Sequence, residues 1–448
     1  MKYAIVFVLA LLLNSVSLYA QSGGGKSSYS RFGLGLLNDQ SQTWNKSMGG
    51  VGIALPSGSK LNTTNPASYA YVDSLSFIFD VAMSGNFGQM SMGASKVPVN
   101  NASFDYLVAG FRLRKNLGLA FGFRPYSTVN YNYFTSSNEA YRDENTGDLV
   151  RNNTNYIGTG GMHEAFIGLG WKPFKNFSIG ANVAVLWGGY DHLVMQEFTQ
   201  AGVASNNFNG FNFLQHADVL TYKLDLGAQY VMRLGSKDWL TVGATVGIGH
   251  HFEGDAYLYR YMTTGDTLMV DNEGGFDIPM SYAGGLAWQH KNTLLVSADA
   301  YYQTWGDCNV PAMVVSNGNV SYPSTTKMYK NNYSLKAGLE YTPNPLATRG
   351  YFNRVKYRFG VSYSSPYLMI PKGENAAMKT NEGPAEIGVS LGVGLPISNR
   401  INSRSMVNLG VQWLRRSPST QSLITENYFI LNVGVTFNER WFMKFKIQ

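Results

Sequence analysis

A period of two governs segment after segment of this chain. Between positions 220 and 232, Leu220, Tyr222, Leu224, Leu226, Ala228, Tyr230 and Met232 alternate with Thr221, Lys223, Asp225, Gly227 and Gln229. Between 333 and 342, Tyr333, Leu335, Ala337, Leu339 and Tyr341 are set against Ser334, Lys336, Gly338, Glu340 and Thr342. Successive side chains of a strand point to opposite faces, so each segment is a strand with one apolar and one polar face. Many such strands in one chain, with the apolar faces turned outward, make an all-β fold, a transmembrane antiparallel β-barrel.

The N-terminus agrees. Residues 1–20 hold Lys2, an apolar stretch from Ala4 to Leu13 and the ending Leu18-Tyr19-Ala20 before Gln21, the pattern of a cleaved secretory signal peptide. Beyond it no apolar run approaches the ~20 residues of a membrane helix. The chain is 14% aromatic and only 14% charged, with 49 glycines, whereas a soluble domain carries ~25% charge. Its net charge of +7 is scattered, without the basic run that nucleic-acid binding needs. The expected location is the outer membrane of a Gram-negative bacterium, with outer-membrane lipid as a partner and no nucleic acid.

Connections are of two kinds. Short ones fall at 114–116, 172–176, 234–238, 290–292, 342–353 and 397–404; longer, polar ones fall at 96–101, 134–158, 198–211, 264–272, 308–326, 370–383 and 417–425. The two kinds alternate, as the short periplasmic turns and long outer loops of such barrels do. They delimit fourteen strands over 74–437 with both ends periplasmic. Phe429, Leu431, Val433, Val435 and Phe437 face outward on the last. Residues 438–448 read as a short amphipathic periplasmic tail, because a fifteenth strand would put the C-terminus outside. In that tail Trp441, Phe442, Met443 and Lys444 offer a handle for outer-membrane or periplasmic proteins.

Residues 21–73 do not alternate. A flexible Gln21-Ser22-Gly23-Gly24-Gly25 stretch leads to Tyr29-Ser30-Arg31-Phe32-Gly33-Leu34-Gly35, then Ser47-Met48-Gly49-Gly50-Val51-Gly52-Ile53-Ala54, then Asn65-Pro66-Ala67-Ser68-Tyr69. With the barrel count, these motifs resemble the FadL-type outer-membrane transporters of long-chain fatty acids and aromatic hydrocarbons, and the related PorV barrels of protein-secretion machines. The resemblance implies that 21–73 folds back into the barrel as a hatch. It implies ligand or hatch roles for Phe32, Leu34, Met48, Gly49, Gly50, Val51, Asn65, Pro66 and Ala67. Close glycines suit backbone-on-backbone packing in a crowded lumen, and proline suits the turn into the wall.

With the apolar faces outward, Arg124, Lys223, Asp225, Asp299, Lys336, Glu340, Lys356, Arg358 and Glu386 point into the lumen. Lumens are commonly polar, so these charges read either as a network bracing wall and hatch or as a ladder for a polar substrate. A greasy ligand needs a largely apolar pocket, which Phe32, Leu34, Leu36, Leu37, Met48, Val51 and Ile53 would have to supply. Pro125 interrupts the third strand, where a missing N–H breaks the ladder. The FadL resemblance implies a sideways exit there, with Arg124 beside it.

Nothing in the chain assembles a catalytic set, a cofactor cradle or a metal centre. His163, His192, His216, His250, His251 and His290 are scattered, and His250 and His251 face opposite sides. His251 and Glu253 share a face, two ligands at most. Cys308 is the only cysteine, which excludes an internal disulfide. The outer loop at 134–158 carries Glu139, Asp143, Glu144 and Asp148, a solvated acidic stretch. By resemblance, the expected function is passive transport of small hydrophobic compounds across the outer membrane. The alternative is a non-transporting structural or docking subunit of a secretion or barrel-assembly complex.

Overall fold

The computed structural model describes residues 27–440, apart from 94, 137–140, 143–148, 201–202, 205–210, 263–264, 317–318, 372–374, 376–379, 398–404 and 421–422. Wall strands follow in chain order, each antiparallel to the last. They are β1 (Ser76–Met92), β2 (Ser95–Arg114), β3 (Leu117–Pro125, continuing as Ser127–Ser136), β4 (Leu149–Phe174) and β5 (Phe177–Gln200). Next come β6 (Phe211–Arg233), β7 (Asp238–Ile248), β8 (Ser281–His290), β9 (Leu294–Gln303) and β10 (Asn332–Tyr341). The circuit ends with β11 (Lys356–Ser364), β12 (Pro384–Pro396), β13 (Met406–Pro418) and β14 (Thr425–Arg440). β14 pairs with β1 from Thr425–Ser91 to Arg440–Ser76, closing a barrel of 14 strands.

The alternation places an apolar band on the outer face. Ile167 and Leu169 on β4, Val183 and Val185 on β5, and Leu226 on β6 are all exposed there. Aromatic rings bound the band at both ends. Trp171, Trp239, Trp288, Tyr341 and Tyr357 lie beside the short turns, while Tyr222, Tyr282, Tyr302 and Tyr333 lie towards the opposite rim. A water-exposed surface of this size would be a liability; against acyl chains it is matched, and the ringed ends suit the two interfaces.

The packed core is inside the barrel. Residues 27–73 enter near the outer end, where Ser27 and Ser28 hydrogen-bond to Glu426 at the start of β14, and descend to the inner rim where β1 begins. On the way they form a two-residue strand (Leu36–Leu37), one helical turn (Thr43–Lys46) and a 3-10 turn (Pro66–Tyr71). Trp44, Met48, Val51, Ala54 and Leu55 pack together against Ala287 of the wall. Gly49 and Gly50, with φ of 73° and 80°, reverse the chain after the helical turn. The left-handed backbone required there is open to glycine and costly for other residues.

Several boundaries differ from the sequence reading, for one physical reason. β1 and β2 meet in a tight turn at Gly93, and Lys96, Val97 and Pro98 are already paired strand. β4, β5 and β6 run 26, 24 and 23 residues, about twice the ~9–11 residues a crossing needs. Much of the expected loops at 134–158 and 198–211 is therefore strand that continues into water, where neither face has to be apolar and the alternation fades. The expected seventh strand also divides. β7 leaves the wall after Ile248, and Asp255–Met262 pairs instead with the outer half of β6, with Thr267–Asp271 on its far side.

β14 continues past Phe437 through Asn438 and Glu439 to Arg440, so the expected tail at 438–448 begins as wall. The handle residues Trp441 to Lys444, the signal peptide, the 21–25 stretch and loop residues Glu139, Asp143, Glu144 and Asp148 lie outside the described residues.

Candidate functional site

Glycines on the lumen face of the wall let the hatch backbone seat directly on it. A Cβ on Gly180 of β5 would lie 2.4 Å from the Pro66 carbonyl carbon, and one on Gly227 of β6 would lie 2.1 Å from Asn65 Oδ1. On β7, β10 and β11, Cβ atoms on Gly243, Gly338 and Gly360 would stand 2.2, 2.3 and 2.0 Å from Ile53 O, Met48 O and Gly49 N. The Asn-Pro-Ala turn is what meets this belt. Asn65 Oδ1 caps the Ala67 N–H at 3.0 Å, and its Nδ2 donates to Ile53 O at 2.8 Å and to Ala228 O of β6 at 3.2 Å.

Buried charge then pins the hatch at separate points of the wall. Glu340 of β10 receives Lys356 Nζ and Arg358 Nε of β11, each at 2.7 Å, and Lys60 Nζ of the hatch at 3.2 Å. Lys60 also lies over the Trp44 ring, 4.0 Å from its centroid. Asp299 of β9 accepts the Gly52 and Ile53 N–H groups at 2.6 and 3.0 Å. Lys46 pairs with Asp105 of β2 at 2.9 Å. Arg124 pairs with Glu164 of β4 at 2.8 Å and donates to Gln40 O and Thr63 Oγ1, both at 3.1 Å.

The other lumen charges also meet one another or the hatch. Lys336 and Glu340 share a face but not a partner: Lys336 stands 3.9 Å from Asp39 of the hatch. Lys223 pairs with Asp225, and Glu386 with Arg416 at 2.9 Å. Arg124, the first residue past the last β2–β3 pair at Phe123, also holds Gln40 and Thr63 of the hatch. Asp105, Glu164 and Glu426 were missed by the sequence reading. A register shift between Ala82 and Met83, opposite Tyr106 and Phe104, removes Asp105 from the simple alternation, and Glu426 sits where a loop was expected to end.

The apolar hatch residues do not form one pocket. Met48 and Val51 belong to the inner cluster with Trp44. Leu34 joins Tyr29 in an outer cluster with Tyr131, Trp305, Tyr322 and Tyr329, against which Phe32 and Leu37 pack. Between hatch and wall remains a cavity of about 350 Å³, bordered by Leu36, Leu37 and Tyr126 on one hand and by Asp39, Lys336 and Arg416 on the other. Buried polar atoms of its lining, Gln40 Oε1, Thr64 Oγ1 and Arg124 Nε among them, have no hydrogen-bond partner among the described residues.

Beside the cavity the wall has a seam. β2 and β3 are paired from Arg114–Leu117 outward to Leu107–Phe123, and beyond Phe123 no pair joins them among the described residues. Past Pro125 the outer half of β3 stays on β4, and the hatch takes over its free edge: Leu36 pairs with Thr128 and Leu37 with Ser127. Asn38 N donates to Tyr126 O at 3.0 Å and Ser127 Oγ to Leu34 O at 2.6 Å. Phe123, His163 and Trp187 stack together on the outward face, so the seam begins at the outer rim of the lipid band.

The histidines and the cysteine stand apart from the lumen site. His251 meets Asp277 at 2.6 Å, not Glu253, and His250 stacks on Tyr222 at 4.1 Å. Cys308 is buried in the outer cluster, and burial, with Asp277 and Asp307 nearby, pushes its thiol up to about 12. Maleimide at pH 7 is accordingly expected to leave Cys308 unlabelled in the folded barrel and to label it fully after heat denaturation, read by mass spectrometry.

With this geometry in place, comparisons with known proteins fall into a consistent set. The profile of the BamG family matches residues 1–448. Among solved structures, the Ralstonia pickettii toluene transporter TbuX aligns with a TM-score of 0.57 at 13% identity, covering 89% of this chain and 98% of that one. The CymD monoaromatic hydrocarbon channel gives 0.56 at 13% identity, over 89% and 98%. A Pseudomonas aeruginosa FadL homologue gives 0.55 at 13%, again over 89% and 98%. At such identity the likeness establishes a shared FadL-type barrel fold. No curated protein matches.

Proposed function

Because the chain belongs to the BamG family and folds as a FadL-type barrel, we propose that it is an outer-membrane barrel for passive movement of small hydrophobic compounds carrying one polar group. The cavity carries this reading. Its volume of about 350 Å³ lies in the ~300–1,000 Å³ range of small-molecule sites. It sets Leu36, Leu37 and Tyr126 beside the unpartnered Gln40 Oε1, Thr64 Oγ1 and Arg124 Nε, which a ligand's polar end would satisfy. The compound would leave by the seam at Pro125, once the two-residue hatch strand releases the edge of β3.

Proteoliposomes loaded with a fluorescent fatty-acid sensor test it. Wild type is expected to admit fatty acid slowly. Leu36→Pro with Asn38→Pro, which removes the hatch N–H groups that face the β3 edge, Asn38 N on Tyr126 O among them, is expected to raise the rate severalfold. If neither protein exceeds empty liposomes, transport is wrong.

A second reading, a structural or docking subunit of an outer-membrane secretion or barrel-assembly complex, has its own observation. The hatch is held to the wall by the Lys60–Glu340, Lys46–Asp105 and Gly52–Asp299 contacts, and the seam edge is capped by the chain itself. A barrel sealed in this way does its work on its surfaces. Partners that copurify with it while no fatty acid crosses would select this reading.

A further inference from the structure

β4, β5 and β6 continue well past the outer aromatic ring. From Trp187 to Gln200, β5 alone adds 13 residues, about 40 Å of extended chain. With Asp255–Met262 and Thr267–Asp271 they form a five-stranded sheet standing in water on one side of the barrel. Its inner face is accounted for: Val194, Phe213, Ala217, Ala256 and Leu258 pack into the outer cluster. The outward face is not.

Register orders that outward face into rows. Ile157, Leu193, Leu214, Tyr259 and Met269 are consecutive cross-strand partners, one on each strand, making an unbroken apolar row. The next row towards the membrane reads Thr159, Asp191, His216, Tyr257 and Asp271, with Asp218 opposite Asp255 below it. All four aspartates are exposed, and the described side chains of these rows include no lysine or arginine. His216 meets Asp191 at 2.7 Å and Asp218 at 3.4 Å, so four carboxylates share one imidazole; on a chain of net charge +7 this is an acid-rich surface, and it lies between the apolar row and the lipid band.

We propose that this face is a docking surface for a second protein. Its partner would seat aliphatic or aromatic side chains on the Ile157–Met269 row and set lysines or arginines against the carboxylates beneath. Charge selects this occupant. Anionic lipid headgroups would meet aspartates and then an apolar row they cannot match. A second copy paired through the same face would set aspartate against aspartate. Apolar anchors with a complementary charged rim are what a protein interface supplies. The surface is outside the lumen, so the proposal stands whether or not the barrel transports.

The test uses the full chain in its own outer membrane, with a photo-crosslinking phenylalanine analogue at Tyr259 and, as a lipid-facing control, at Tyr282. Tyr259 is expected to yield one protein adduct whose crosslinked peptide carries lysine or arginine beside apolar residues; Tyr282 is expected to yield none. Asp218→Lys with Asp255→Lys, and separately Leu214→Glu with Tyr259→Glu, should each reduce copurified partner tenfold or more. Heat-modifiable migration on gels confirms that the variant barrels are closed. The unaltered complex should also dissociate as salt rises, a readout that needs no variant. Adducts only with lipopolysaccharide, adducts within the chain, no adduct, or a partner indifferent to both salt and Asp218→Lys/Asp255→Lys would each overturn the proposal.

Discussion

Glu340→Gln is expected to unseat the hatch. Glu340 is 6% exposed and is the shared counter-charge of Lys60, Lys356 and Arg358, at 3.2, 2.7 and 2.7 Å. Removing its charge leaves three cations facing one another in a water-poor lumen. Breaking a buried pair from one side costs about 3–5 kcal/mol, and the group free to move away is Lys60, because the other two cations are fixed in the wall. The expected results are a heat-modifiability transition several degrees lower and a measurable ion conductance in planar bilayers. Lys60→Met should be far milder, since Glu340 keeps Lys356 and Arg358 while the methionine still covers Trp44. Wild-type melting and silence in bilayers for Glu340→Gln would show that this cluster does not hold the hatch.

That asymmetry separates the two functional readings. If the hatch is a gate, Glu340→Gln should also speed fatty-acid entry into liposomes, because the change that frees Lys60 loosens the residues bordering the cavity. If the barrel is sealed for structural work, the variant should leak ions without preference and wild type should pass nothing.

What the sequence made legible was whatever lipid forces on a strand. One face of each crossing must be apolar, so 220–232 and 333–342 announce their strand character and their facing. Where that requirement stops, legibility stops. Outside the membrane both faces of β4 to β6 are solvated or covered by loops, so Asn153, Thr159 and His216 carry no period. Nor does any periodicity mark that Asp255–Met262 abandons the wall for β6. The inward charges were readable as a set but not as pairs. Whether Lys336 meets Glu340 or Asp39 depends on where the hatch passes, and the hatch has no repeat. The Asn-Pro-Ala turn pointed to chain entering the wall; the glycines that receive it were visible only as high glycine content, because their alignment comes from register between strands far apart in sequence.

Gly180→Leu is expected to drive the hatch turn off that belt. Its Cβ would meet the Pro66 carbonyl carbon at 2.4 Å, Pro66 O at 2.5 Å and Ala67 N at 2.6 Å. Overpacking ordinarily costs ~1–3 kcal/mol because flexible side chains shift. Here the obstacle is backbone, held by a proline ring and by the Asn65 cap, so the 3-10 turn has to leave its seat. Gly284→Leu supplies the matched control: the same residue type on β8, with nothing within 4 Å of the added carbon. Outer membranes carrying each variant should separate under limited proteolysis. Cleavage within 27–73 should be absent for wild type and Gly284→Leu and rapid for Gly180→Leu, with the barrel strands protected in all three. Equal protection of the hatch in Gly180→Leu would mean that the belt tolerates a side chain, and that the ion pairs and hydrogen bonds suffice to hold hatch and wall together. Rapid cleavage would make backbone contact the primary bond between them, and the ion pairs its lock.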